Sequence, residues 1–197
     1  MEALETIKAG AIFKNLEVHE IADPKLVIAD FFNTAWLPSH LRYLKAWRDD
    51  LLPIENGKKQ SSPSDLIYNH ELTIKLVEAA WLLKDSGLGK VEIKKEDLET
   101  VAKWHLANER KKSRGYPANL TLKEMVAPCR VLRKTFDRFS LKEYNDILKI
   151  WLYDAVSDSY LEESLEKTEV IYVYDNLIRL FEAMWLIHFR TTPNMIC

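Results

Sequence analysis

The segment IYNHELTIKLVEAAWLL, residues 67–83, returns 104 residues later as IYVYDNLIRLFEAMWLI, residues 171–187. Eight of the 17 positions are identical: Ile67, Tyr68, Ile74, Leu76, Glu78, Ala79, Trp81 and Leu82 recur as Ile171, Tyr172, Ile178, Leu180, Glu182, Ala183, Trp185 and Leu186. Chance would supply about one. Neither segment alternates with period two. Each is apolar almost all the way round apart from a narrow charged stripe, which is the pattern of a buried helix.

The same offset holds upstream without a gap. Asn15-Leu16, Pro24, Phe32, Leu37, Leu44-Lys45, Trp47 and Asp50 match Asn119-Leu120, Pro128, Phe136, Leu141, Leu148-Lys149, Trp151 and Asp154. Over 15–88 against 119–192 there are 19 identities in 74 positions. The expected fold is therefore all-α: a tandem duplication of a three-helix unit, arranged as a pseudo-two-fold helical bundle. Residues 1–197 form a single compact domain on this reading, with repeats 15–88 and 119–192 and a connecting segment, 89–118, that holds an extra helix.

Local signals place the helices. Asp23-Pro24 opens the first, since a proline in the first turn lacks only an N–H that would be free anyway. Leu41, Leu44, Trp47 and Leu51 mark the second, closed by Pro53. The third is long, capped by Ser64 or Asp65, and ends near Ser86 before Gly87. The extra helix fits 95–112. Thr121-Leu122-Lys123-Glu124 and Ser140-Leu141-Lys142-Glu143 read as capping boxes, in which hydroxyl and carboxylate satisfy free N–H groups reciprocally. The alignment of Pro128 with Pro24 predicts a helix start near Pro128 and makes the turn at Thr121 a separate short piece. The last helix spans about 169–190.

Composition narrows the class. With 47% apolar and 29% charged residues the chain is a globular sequence. Its 5 Gly and 7 Pro are too few for a hairpin-rich β fold, and a net charge of -2 excludes a uniformly basic nucleic-acid binder. Two cysteines, Cys129 and Cys197, build no disulfide framework. Met1–Glu5 has no signal-peptide pattern, and no stretch approaches the ~20 apolar residues of a membrane helix. A cytoplasmic protein with no membrane contact is expected.

Trp47, Trp81, Trp151 and Trp185 are expected in the core, because aromatic residues bury large areas. A second retained feature is polar. Glu71, Lys75 and Glu78 match Asp175, Arg179 and Glu182 in charge sign, and Tyr68 and Tyr172 border them. Spacings of four and three put each trio on one helix face. That stripe reads either as a solvent-facing ladder of weak ion pairs or as the lining of a groove between the two copies. It is not a di-metal site: none of the five histidines follows a carboxylate by three residues, as bundle sites require. The His105–Glu109 pair reads as a local surface contact. Phosphate-loop, dinucleotide, nucleophile-elbow and C-x-x-C motifs are absent. No cofactor and no metal are expected.

The near-neutral total hides segregation. Residues 90–138 carry 13 Lys and Arg against 7 Asp and Glu, whereas residues 139–182 carry 4 against 10. Arg110, Lys111, Lys112, Arg114, Arg130, Arg133 and Lys134 are candidate binding residues for an acidic protein surface or a phosphate backbone. The expected function is a non-enzymatic helical interaction module that binds another macromolecule, with protein as the expected partner. The alternative is a nucleic-acid-associated protein using the basic segment 110–138, and the third reading is a helical enzyme with an unrecognised site.

Overall fold

The computed structural model describes residues 13–52, 59, 61–93, 99–113, 115–157 and 166–192. Among them the chain forms nine helices and no strand: α1 (Val18–Ala22), α2 (Lys25–Thr34), α3 (Leu37–Leu51), α4 (Pro63–Leu83), α5 (Thr100–Lys112), α6 (Leu122–Val126), α7 (Cys129–Thr135), α8 (Leu141–Val156) and α9 (Lys167–Thr191). No helix among the described residues is long and apolar enough to cross a membrane.

Capping decides where these helices begin. The Thr121 and Ser140 hydroxyls accept from the backbone N–H groups of Glu124 and Glu143, whose carboxylates accept in return from the N–H groups of Thr121 and Ser140. Ser62, rather than Ser64 or Asp65, caps α4 by accepting from the Asp65 N–H, and Pro63 takes the first helical position. A short helix, α1, escaped the sequence reading. Its cap residue is Glu17, outside the usual Ser, Thr, Asp and Asn set, yet Glu20 closes the turn by accepting from the Glu17 N–H at 2.7 Å. Four helices, not three, therefore lie in each half. The starts of α1, α2, α3 and α4 are each followed 104 residues later by the start of α6, α7, α8 and α9. The residues between the first two helices, Asp23 and Ala127, share nearly the same backbone angles, φ -134 with ψ 85 and 80.

Each long helix takes its main partner from the other half: α4 packs on α8, and α9 on α3. The remaining contacts are reciprocal too, with α2 against α4 and α9, and α7 against α9 and α4. At the centre α3 meets α8. There the Trp47 and Trp151 rings pack edge to face at 5.5 Å, and the Trp47 indole N–H donates to the Trp151 carbonyl at 3.3 Å. One buried cluster runs through both halves from Phe13 to Ile187. Trp47, Trp151 and Trp185 are buried as expected, but Trp81 is only half-buried. It leans on Phe136 with the Lys84 ammonium over its face, whereas the Trp185 indole lies under the end of α5 and donates to the Ser113 hydroxyl.

An ion pair helps to tie down the connecting helix. Arg190 of α9 grips the buried Glu109 of α5 with two bonds of 2.8 Å, and its remaining amine donates to the Gly89 and Met125 carbonyls. The Tyr116 hydroxyl donates to the same carboxylate at 3.0 Å. Burial works against the Glu109 charge, but Arg190 and Tyr116 hold its pKa below the ordinary carboxylate value. The local His105–Glu109 pair forms at 3.3 Å, but only its histidine reaches the surface. His105 lies beside a buried staple whose main cation, 81 positions away, no local spacing reveals.

Candidate functional site

The repeated polar stripe divides into two parts with different roles. Glu78 and Glu182 are 0% and 1% exposed, so they belong neither to a solvent ladder nor to a groove. Each carboxylate accepts from two consecutive backbone N–H groups and one asparagine side chain: Lys14, Asn15 and the Asn15 amide for Glu78; Ala118, Asn119 and the Asn119 amide for Glu182. They anchor the chain that leads into α1 and α6. This explains why Asn15 and Asn119 recur along with the glutamates. Glu78 takes one further bond, from Asn145 of α8 at 3.0 Å.

Lys75 and Arg179 do not pair along their own helix either. Lys75 bonds both Glu20 oxygens, at 2.8 and 3.1 Å, and Arg179 bonds Glu124. Glu20 and Glu124 lie in α1 and α6, three residues after the cap in each. Sequence reasoning did not single them out, although they too match at the offset of 104.

The outer part of the stripe does line a groove, but within the first half rather than between the halves. Two adjoining cavities share Tyr68 and Leu72 of α4. The first, about 230 Å³, is bordered by Glu20, Asp30, Phe31, Glu71 and Lys75. The second, about 180 Å³, is bordered by Thr34, Ala35, His40, Tyr43 and Asp65. Tyr68 is 52% exposed and Tyr43 48%. Four carboxylates face one ammonium along this groove, and Asp30, Asp65 and Glu71 have no ion-pair partner among the described residues.

On the matching face of the second half, side chains of the described residues occupy the corresponding places. Lys134, at the position of Asp30, pairs with Glu124 at 3.0 Å. Arg138, at the position of Thr34, lies 4.6 Å over the Tyr172 ring and 4.0 Å from the Glu169 carboxylate. Phe139, at the position of Ala35, packs edge to face on Tyr144 and Tyr172 at 5.9 and 5.8 Å. Asp175 is exposed on this side. The local charges balance there, with Glu124, Glu169 and Asp175 against Lys134, Arg138 and Arg179.

The candidate basic residues fall into two groups on separate helices. Arg110, Lys111 and Lys112 are exposed in the last turn of α5, with no ion pair among the described residues. Arg130, Arg133 and Lys134 lie on α7, and Arg114 is outside the described residues. Arg133 pairs with Asp85 at 2.7 Å and Lys134 with Glu124, so two of these charges already have partners inside the molecule. The Cys129 thiol is buried beneath α4, against the Leu83 and Leu88 carbonyls. Among the described residues no group of three or more His, Cys, Asp or Glu side chains is placed to hold a metal ion.

No family model, no curated protein and no solved structure matches the chain.

Proposed function

We propose that this chain is a non-enzymatic helical interaction module that binds a protein partner through the groove along α4. The observation that carries this reading is the groove itself, where exposed Tyr43 and Tyr68 stand beside three carboxylates with no ion-pair partner among the described residues. Exposed aromatic rings next to uncompensated charge are typical of protein interfaces, because a ring contributes contact area at little cost in side-chain entropy.

The scaffold is read as a tandem duplication about an approximate two-fold axis. Supporting this are the coincident helix starts, the matched Glu78 and Glu182 anchors, the reciprocal packing of α4 on α8 and α9 on α3, and the contact of Trp47 with its own counterpart Trp151. A residue touches its symmetry mate only where an axis passes, so that contact supports an axis between α3 and α8. Duplication supplies two similar faces on one rigid core, and divergence then leaves one closed and one open. The nucleic-acid reading is weaker, since Arg133 and Lys134 are partnered within the molecule.

The test is site-specific crosslinking in the source cell. A benzophenone amino acid at position 68 is expected to trap a discrete protein, and the same group at position 142, on the exposed face of α8, is not. Equal trapping at both positions, or trapping of nucleic acid from position 68, refutes the reading.

A further inference from the structure

The second half fills its own matching face with side chains that the first half lacks. At three positions the closed face contributes a side chain that the open face lacks: Lys134 for Asp30, Arg138 for Thr34 and Phe139 for Ala35. Each fills a place whose counterpart borders one of the two cavities. The Lys134 ammonium meets Glu124, whose counterpart Glu20 borders the larger cavity. The Phe139 ring lies between Tyr144 and Tyr172, whose counterparts His40 and Tyr68 border the smaller one. The Arg138 guanidinium joins Tyr172 to Glu169, and the counterparts Tyr68 and Asp65 border the same cavity. The surrounding framework is retained: both tyrosines, all three acidic positions (Glu20, Asp65 and Glu71 against Glu124, Glu169 and Asp175), and the cation at Lys75 or Arg179. In the first half the filling side chains are gone and Asp30 adds a fourth carboxylate, so the groove lacks two cations and one aromatic ring.

We infer that the groove accepts a segment of a partner protein presenting a lysine, an arginine and an aromatic residue, the three kinds of side chain that fill the matching face of the second half. This rests on the reading of the groove as a protein-binding surface and specifies the partner's chemistry. The aromatic residue enters the cavity between His40 and Tyr68. The guanidinium lies on the exposed face of Tyr68 toward Asp65, the cation–π geometry that Arg138 and Tyr172 already show. The ammonium reaches Asp30 and Glu20. Opposite charge across the groove speeds encounter and rejects acidic segments, while the ring fixes the register.

The probe is the peptide acetyl-Lys-Thr-Phe-Asp-Arg-Phe-amide, the sequence of residues 134–139, titrated into the full-length ¹⁵N-labelled protein. Saturable shifts centred on Asp30, Thr34, Ala35 and Tyr68 are expected. Peptides with Ala in place of Lys and Arg, or of the final Phe, are expected to bind at least tenfold more weakly. The triple variant Asp30→Lys, Thr34→Arg, Ala35→Phe rewrites the open face as the closed one and is expected to fold and lose the peptide. Tyr68→Ala provides the same comparison if the triple variant does not fold. Absence of saturable shifts, equal binding of the Ala peptides, or full binding by the groove variants overturns the inference. If the peptide fails while crosslinking at position 68 still traps one protein, the partner chemistry is wrong and the interaction module stands.

Discussion

Glu124→Gln removes one charge from a carboxylate that is 1% exposed and holds four groups at once. The Thr121 N–H and hydroxyl donate to one oxygen, and the Lys134 ammonium and Arg179 guanidinium to the other. Burial raises the carboxyl pKa, but the Thr121 bonds, Lys134 and Arg179 outweigh it and hold Glu124 at about 2, against an ordinary 4.5. A depression of that size corresponds to up to about 3 kcal/mol of stability at pH 7. Glutamine keeps the shape and still closes a capping box, so the loss reports the charge rather than the helix start. The sign follows from linkage. Because the folded value is depressed, the stabilisation is complete above 4.5 and is lost as pH falls toward 2. Urea melts of wild type and variant at pH 7, 4 and 3 are expected to differ most at pH 7, and by less than half as much at pH 3. A difference that stays constant from pH 7 to 3, or a loss below about 1 kcal/mol at pH 7, refutes this account of the ion cluster.

Three other outcomes are expected. Trp47→Ala and Trp151→Ala each cost on the order of 3–5 kcal/mol. Their rings touch, so the double variant should depart from the sum by at least about 0.5 kcal/mol in a chemical melt, and strict additivity counts against a shared central contact. Burial lowers the pKa of His40, His70 and His188 from 6.5, with Glu71 partly opposing it at His70. Their stabilising contribution is thus complete above 6.5 and declines as pH falls, by at most about 4 kcal/mol per pH unit for all three. Stability that is flat between pH 7.5 and 5.5 refutes this. A Cβ at Gly115 (φ 86°) would come within 2.5 Å of the Pro38 ring, whereas at Gly87 (φ 72°) it would meet nothing within 4 Å. Gly87→Ala is expected to cost about 1 kcal/mol from backbone strain alone, and Gly115→Ala at least twice that by thermal melt, because Pro38 cannot rotate away.

The candidate groove was half legible in the sequence. Tyr68, Glu71 and Lys75 stood out because they recur in kind at Tyr172, Asp175 and Arg179. The residues that make the groove open were invisible to that comparison. Asp30, Thr34 and Ala35 matter through their differences from Lys134, Arg138 and Phe139, and a difference carries no signal until the matching face is seen filled. Glu78 was misread for a related reason. Its helical spacing from Lys75 is ideal for a surface pair, but two backbone N–H groups more than 60 positions away claim its carboxylate.

What the sequence determined alone is local or repeated. Helix starts depend on hydrogen bonds spanning three or four residues, so Thr121, Ser140, Pro24 and Pro128 announce them directly, and the 104-residue repeat lets each half check the other. Tertiary structure decided which surfaces meet. That α4 takes α8 and α9 takes α3, that Arg190 reaches Glu109, and that Lys134 closes one face while Asp30 leaves the other open all depend on non-local contacts. An apolar stripe specifies that a helix face will be buried and leaves its partner unspecified, because the hydrophobic effect has no direction. A charged side chain near such a stripe turns toward whichever unpaired donor the packed chain brings within reach, and that choice is made only when the helices come together.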